Sequence, residues 1–118
     1  MAYIDGFIVP VPEKNLADYK RLAKLASKVW MEHGALEYYE CVGDDLVIPP
    51  PFIGFPKLTR LKKNETVIFA WIVYKSKAHR DRVNAKVMKD PRMQEPPKNM
   101  PFDHTRMSMG GFKVIVKA

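Results

Sequence analysis

The stretch HGALEYYECVGDD, His33 to Asp45, gathers a histidine, the chain's only cysteine, two tyrosines and four carboxylates. General acid–base and nucleophilic chemistry both use such groups, provided that they converge on one point. Successive side chains of an extended segment point to opposite faces, so Glu37 and Cys41 leave on the side opposite Glu40. They cannot all meet. Cys41 has no base at nucleophile spacing and reads as a small core residue. His33 falls at the end of a helical pattern, where an imidazolium favours the last carbonyls; it is a structural cap that also stands as a candidate rim residue of a ligand site.

Two other residues are better placed for proton transfer. Asp5 lies inside the apolar run YIDGFIVPV, where a carboxylate loses hydration unless an Arg, a His or a backbone donor meets it. The expected partner is Arg106 or a catalytic group. His79 belongs to the first turn of the second helical pattern, on the side expected to face a sheet, and is either a general base or a satisfied core histidine. Trp30, Trp71, Phe102 and Phe112 are candidate walls for a planar ligand, with ordinary core packing as the alternative. Asp103-His104 is a weak metal-binding pair, and the three histidines and one cysteine follow no recognised zinc spacing. Neither a metal nor a cofactor is expected.

These residues depend on a small set of elements. Residues 3 to 11 read as a strand ended by Pro10 and Pro12, with Gly6 marking a bulge or a close backbone approach. From Asn15, a good N-cap, an apolar face recurs through Tyr19, Leu22, Ala26, Val29, Trp30 and His33, and Gly34 supplies the C-cap. Leu36 to Val42 and Thr66 to Lys75 are strands separated by an irregular stretch. Ser76 caps a second helix that stops at Asp90-Pro91, PRMQEPPKNMPFD is a wrapped loop, and Met107 to Lys117 is a last strand with a bulge at Gly110-Gly111. The order βαββαβ is the split βαβ pattern of a ferredoxin-like α+β domain with a four-stranded antiparallel sheet. Residues 1–118 form one such domain, with no repeat or linker.

That topology leaves one sheet face without helices, and such a face is polar in a monomer. In TVIFAWIVYK both faces are apolar: Val67, Phe69, Trp71 and Val73 on one, Ile68, Ala70, Ile72 and Tyr74 on the other. A homodimer packed sheet to sheet is the expected solution.

Composition narrows the partners. Hydrophobic residues at 47% and charged residues at 28% are ordinary for a globular protein, and no apolar run approaches the ~18 residues of a membrane span. The N-terminus lacks a basic leader and carries Asp5 in its first apolar run, and a lone cysteine agrees with a reducing compartment; a cytoplasmic location is expected. The net charge of +7 invites RNA as a partner. Its carriers, Lys20, Lys24 and Lys28 on one helix and Arg82, Lys86 and Lys89 on the other, form stripes that more often mark solvated faces.

The strings YIDGFIVPVPEKNLADY, WMEHGALEYYECVGDD, ETVIFAWIVYKSKAHRDRVNAKVMKDPRM and MPFDHTRMSMGGF together resemble the YbaA-like family, a small bacterial family classed as a domain of unknown function. The resemblance spans nearly the whole chain. It implies a fold similar to the dimeric α/β barrels, a superfamily that includes antibiotic-biosynthesis monooxygenases, haem-degrading enzymes and small isomerases, and it implies no particular reaction. The chain departs from the family's expected polarity in DLVIPPPFIGFPKLTRLKKNE, whose proline run and apolar residues suit either a lid over a pocket or an arm clasping a partner subunit, with the arm favoured. Two functions follow. One is a dimer binding a small planar organic molecule between helices and sheet, as a cofactor-independent oxygenase or isomerase with Asp5 or His79 as base. The other is a non-catalytic RNA-binding or regulatory protein using the basic helix faces.

Overall fold

The aromatic and β-branched runs become the two central strands. The computed structural model describes residues 1–118. In chain order the elements are β1 (Tyr3–Pro12), α1 (Leu16–Glu32), β2 (Glu37–Val42), a single-turn α2 (Phe55–Leu58), β3 (Glu65–Tyr74), α3 (Lys77–Lys89) and β4 (Ser108–Lys113). They make an α+β structure whose four-stranded antiparallel sheet has the order β2-β3-β1-β4. β1 runs one residue past its expected end at Val11. It continues to Pro12, because β4 pairs only with Tyr3 to Ile8 and leaves the proline end of β1 with a single neighbour, where a missing N–H is tolerated.

Both long helices lie on one face. Val29 of α1 and Val83 and Val87 of α3 pack on Tyr3, Ile72 and Tyr74, while Val9, Val11, Ile68 and Ala70 surround Tyr19 in a second cluster. The expected bulge at Gly110-Gly111 is absent: Asp5 pairs with Gly111 and Gly6 with Gly110 in unbroken register. The strand also stops at Lys113 rather than Lys117, since β1 begins at Tyr3 and offers no further partner beyond one bond from Val114 N–H to the Ala2 carbonyl.

Helix ends follow the sequence with one exchange. Ser76 Oγ accepts the His79 N–H at 3.1 Å, and Gly34 takes φ 113° just past the end of α1. Asn15 holds the N-cap position of α1 but makes no side-chain cap; its amide donates instead to the Pro101 carbonyl at 3.0 Å and anchors the proline-rich segment.

The face opposite the two long helices carries aromatic residues. Tyr39 stacks on Trp71 at 4.8 Å, Trp71 meets Phe69 at 5.4 Å, and Phe55 of α2 lies on Phe69 at 6.2 Å. Phe69 is 47% exposed and Phe112 60%. Cys41, expected in the core, is exposed on the same side because alternation along β2 turns it away from the helices. No helix is long and apolar enough to cross a membrane.

Candidate functional site

Between the two helices and the sheet lies a cavity of about 790 Å³, within the usual range for small-molecule sites. Asp5, Phe7, Ala70 and Ile72 form its floor, α1 contributes Leu22, Ala26 and Trp30, and α3 contributes Asn84 and Met88. The segment from Arg92 to Phe102, expected only to wrap the surface, is its third wall. By contrast, no residue of the long loop between β2 and β3 lines it, so that loop is not its lid.

Asp5 is the central polar group. It is buried because it alternates with Tyr3 and Phe7 on the helix side of β1. Its cationic partner is Arg80, not Arg106: Arg80 Nε lies 3.4 Å from Asp5 Oδ1, and Arg106 instead donates to Glu65 at 2.6 Å. Arg80 Nε is buried without a hydrogen bond, while Nη2 donates to Tyr3 Oη at 3.0 Å. The pair is close but not aligned, so burial prevails and raises the Asp5 carboxyl above the ordinary range, against the opposing pull of Arg80 and the smaller influence of the nearby Asn84 and Tyr74 side chains.

Asn84 organises the groups around that carboxylate. Trp30 Nε1 donates to Asn84 Oδ1 at 3.1 Å and Tyr74 Oη donates to the same oxygen at 3.3 Å. An indole N–H can only donate, which fixes the amide orientation and leaves Asn84 Nδ2 for Asp5. On the far wall Glu40 accepts Tyr19 Oη at 2.6 Å and Tyr38 Oη at 2.8 Å. Burial and the Glu40 charge push both phenols well above their ordinary range, so both keep their protons. The Tyr74 phenol is raised likewise, by burial and then by Asp5.

The candidates named from the sequence therefore separate. Asp5, Trp30 and Phe102 come together in the cavity, with Phe102 edge-on to Tyr19 at 5.5 Å. Trp71 and Phe112 lie on the opposite sheet face. His79 sits at the start of α3, where Nδ1 accepts the Lys75 N–H at 3.0 Å and the ring stands edge-on to Tyr74. His33 caps α1 and meets Asp90 at 2.8 Å, beside Arg92, which bridges Asp90 to Glu32. Neither histidine lines the cavity. Asp103 is taken up by Thr105, whose N–H and hydroxyl it accepts, and no three His, Cys, Asp or Glu side chains cluster as a metal site.

Asn84 and the methionines were missed. Arg80 and Asn84 stand four apart beside the apolar Val83 and Val87, which marks them as inward polar residues. Five of the chain's seven methionines, Met88, Met93, Met100, Met107 and Met109, line the cavity, and their crowding between residues 88 and 109 was the signal for an adaptable apolar wall.

A family model described as "Protein of unknown function (DUF1428)" matches residues 2–104. The chain belongs to this family. The matched span holds Asp5, Trp30, Asn84 and Phe102, and so most of the cavity, but stops before β4. This DUF1428 member is 42% identical over 116 residues, 98% of each chain, to "Uncharacterized protein YbaA" of Escherichia coli strain K12, and equally to the proteins of that name in Escherichia coli O157:H7 and Shigella flexneri.

Proposed function

We propose that the protein binds a small planar organic molecule in the cavity between helices and sheet, with Asp5 as the proton acceptor. The observation that carries this reading is a buried carboxylate on the floor of a largely apolar cavity, where 16 of 23 lining residues are hydrophobic. A carboxylate with a raised pKa is a stronger base than an exposed one once ionised. A proton leaving a ligand C–H or O–H passes to an Asp5 oxygen, and the electron pair stays on the ligand. That is the opening step shared by cofactor-independent isomerases and oxygenases. His79, with Nδ1 engaged by the backbone, has no part in this reading.

The same proposal takes the βαββαβ order as a ferredoxin-like domain that pairs through the face opposite its long helices into a dimeric α/β barrel. Tyr39, Phe69 and Phe112, each more than two-fifths exposed, support a second copy as the cover of that face. A native mass spectrum of gently purified protein tests both halves. A dimer with a defined extra mass that Asp5→Asn no longer retains is the expected result. A monomer at micromolar concentration overturns the dimer, and the same added mass retained undiminished by Asp5→Asn overturns the role of Asp5.

The basic stripes that favour RNA are exposed, as Lys20, Lys24 and Lys28 on α1 and Arg82, Lys86 and Lys89 on α3. None of these six residues lines the cavity. RNA binding is the weaker reading, and affinity that does not fall between low and moderate salt removes it.

A further inference from the structure

Resting on the pocket reading above, we infer that the ligand is a hydrogen-bond donor, a planar phenol, enol or N–H heterocycle, and not a carboxylate, sulfate or phosphate. The inference comes from the side-chain hydroxyl and indole hydrogens and the charges around the cavity. Tyr19 and Tyr38 each own one hydroxyl proton, and both protons go to the oxygens of Glu40, at 2.6 and 2.8 Å. Trp30 spends its single N–H on Asn84 Oδ1 at 3.1 Å. Asn84, its oxygen held by Trp30 and Tyr74, turns its amide hydrogens toward Asp5. Arg92 stands at the rim with each of its three guanidinium nitrogens engaged by Asp90 or Glu32. The single polar hydrogens of Tyr19, Tyr38 and Trp30 are thus spent within the protein, and the one cation on the lining is already paired.

Acceptors are not. The Asp5 carboxylate takes no direct hydrogen bond of good geometry from Arg80, and each phenol oxygen, having given its proton to Glu40, keeps lone pairs. The charges agree with this count. Asp5, Glu40 and Glu95 line the cavity against the single guanidinium of Arg92, which is itself neutralised by Asp90 and Glu32. The chain carries +7 overall, yet acidic residues outnumber basic ones on the lining of this cavity. An anionic ligand placed there meets three carboxylates and a guanidinium already paired with two others, so its charge goes uncompensated. A ligand O–H or N–H aimed at Asp5 satisfies a carboxylate that the protein leaves short. The methionine walls set no sharp outline, so donor chemistry rather than shape discriminates among flat ligands.

Titration calorimetry of the intact protein at neutral pH with 2-naphthol, 2-methoxynaphthalene and 2-naphthoate separates the possibilities, because the three share a ring and differ in what they offer Asp5. Naphthol binding at least about tenfold tighter than both others is expected, because it alone offers Asp5 a hydroxyl hydrogen. The advantage over the methoxy compound shrinks several-fold in Asp5→Asn, whose fold is checked by circular dichroism. Methoxynaphthalene or naphthoate binding as tightly as naphthol overturns the donor rule and leaves the pocket standing. Heat from none of the three, together with a native mass spectrum free of any adduct, overturns the pocket reading and the donor rule with it.

Discussion

Trp30 Nε1 of α1 donates to Asn84 Oδ1 of α3 at 3.1 Å, and this bond ties the two helices together at the cavity that Asp5 also lines. The same oxygen holds Tyr74 of the central strand β3. Asn84→Leu removes the acceptor and leaves an indole N–H and a phenol O–H without their partner. A loss of about 2 kcal/mol in urea unfolding is expected, with a change in tryptophan fluorescence as Trp30 shifts. Unchanged stability and an unchanged spectrum would show that the bond does not organise the cavity.

Asp5 gives stability a distinctive pH dependence. Burial raises its carboxyl above the ordinary 3.8, so the unfolded chain releases this proton first as pH rises. Asp5 therefore favours the folded state most below the unfolded value and loses that contribution as pH climbs through the raised one. Asp5→Asn lacks the effect. Its melting temperature relative to the unsubstituted protein should move upward as pH rises from about 4 toward neutrality, measured by calorimetric scans. A difference that is flat or falls over that window contradicts a raised Asp5.

Asp90 behaves in the opposite sense. Hydrogen bonds from Arg92 first, and then from His33, hold its carboxyl well below the ordinary 3.8. Its contribution is complete above that value and is lost as pH falls through the lowered one. Asp90→Asn should melt below the unsubstituted protein at neutral pH, and the gap should narrow only in acid below pH 3.8. Thermal melts across that range decide it, and a gap that closes between neutrality and about pH 5 would be the wrong outcome.

Gly111 is a matter of space. A Cβ there would overlap the Tyr3 hydroxyl and come within 2.7 Å of Arg80 Nη2, where the hydrogen bond between those side chains crosses β4. Gly111→Ala should cost about 1 to 3 kcal/mol. Gly110→Ala, whose Cβ meets only the Phe112 ring at 3.8 Å, should cost much less, which makes the two a matched pair in denaturant melts. Equal losses would mean that backbone flexibility rather than overlap sets the cost.

Much of this arrangement was legible along the chain. The apolar run YIDGFIVPV marked Asp5 as a carboxylate in need of a partner, helical periodicity placed Trp30 on the buried side of α1, and Ser76, Gly34 and Asp90-Pro91 marked helix ends, because each is a local preference expressed within a few bonds. What depended on residues far apart was not. Arg80 rather than Arg106 meets Asp5 because α3 crosses β1, while Glu65 captures Arg106 from 41 positions away. Asn15 left its helix to hold Pro101 for the same kind of reason, since a long-range acceptor lay within reach.

The sequence by itself determined the order of strands and helices, the acidic residue in the first strand and the apolar character of both sheet faces, since periodicity and side-chain chemistry are properties of neighbouring residues. Only the tertiary structure decided that Asp5, Trp30, Asn84 and Phe102 share a cavity, that Trp71 and Phe112 lie on the other side of the sheet, and that the proline-rich segment after α3 closes the third wall. Those outcomes turn on which face of the sheet the helices cover, and strand pairing across the chain sets that face.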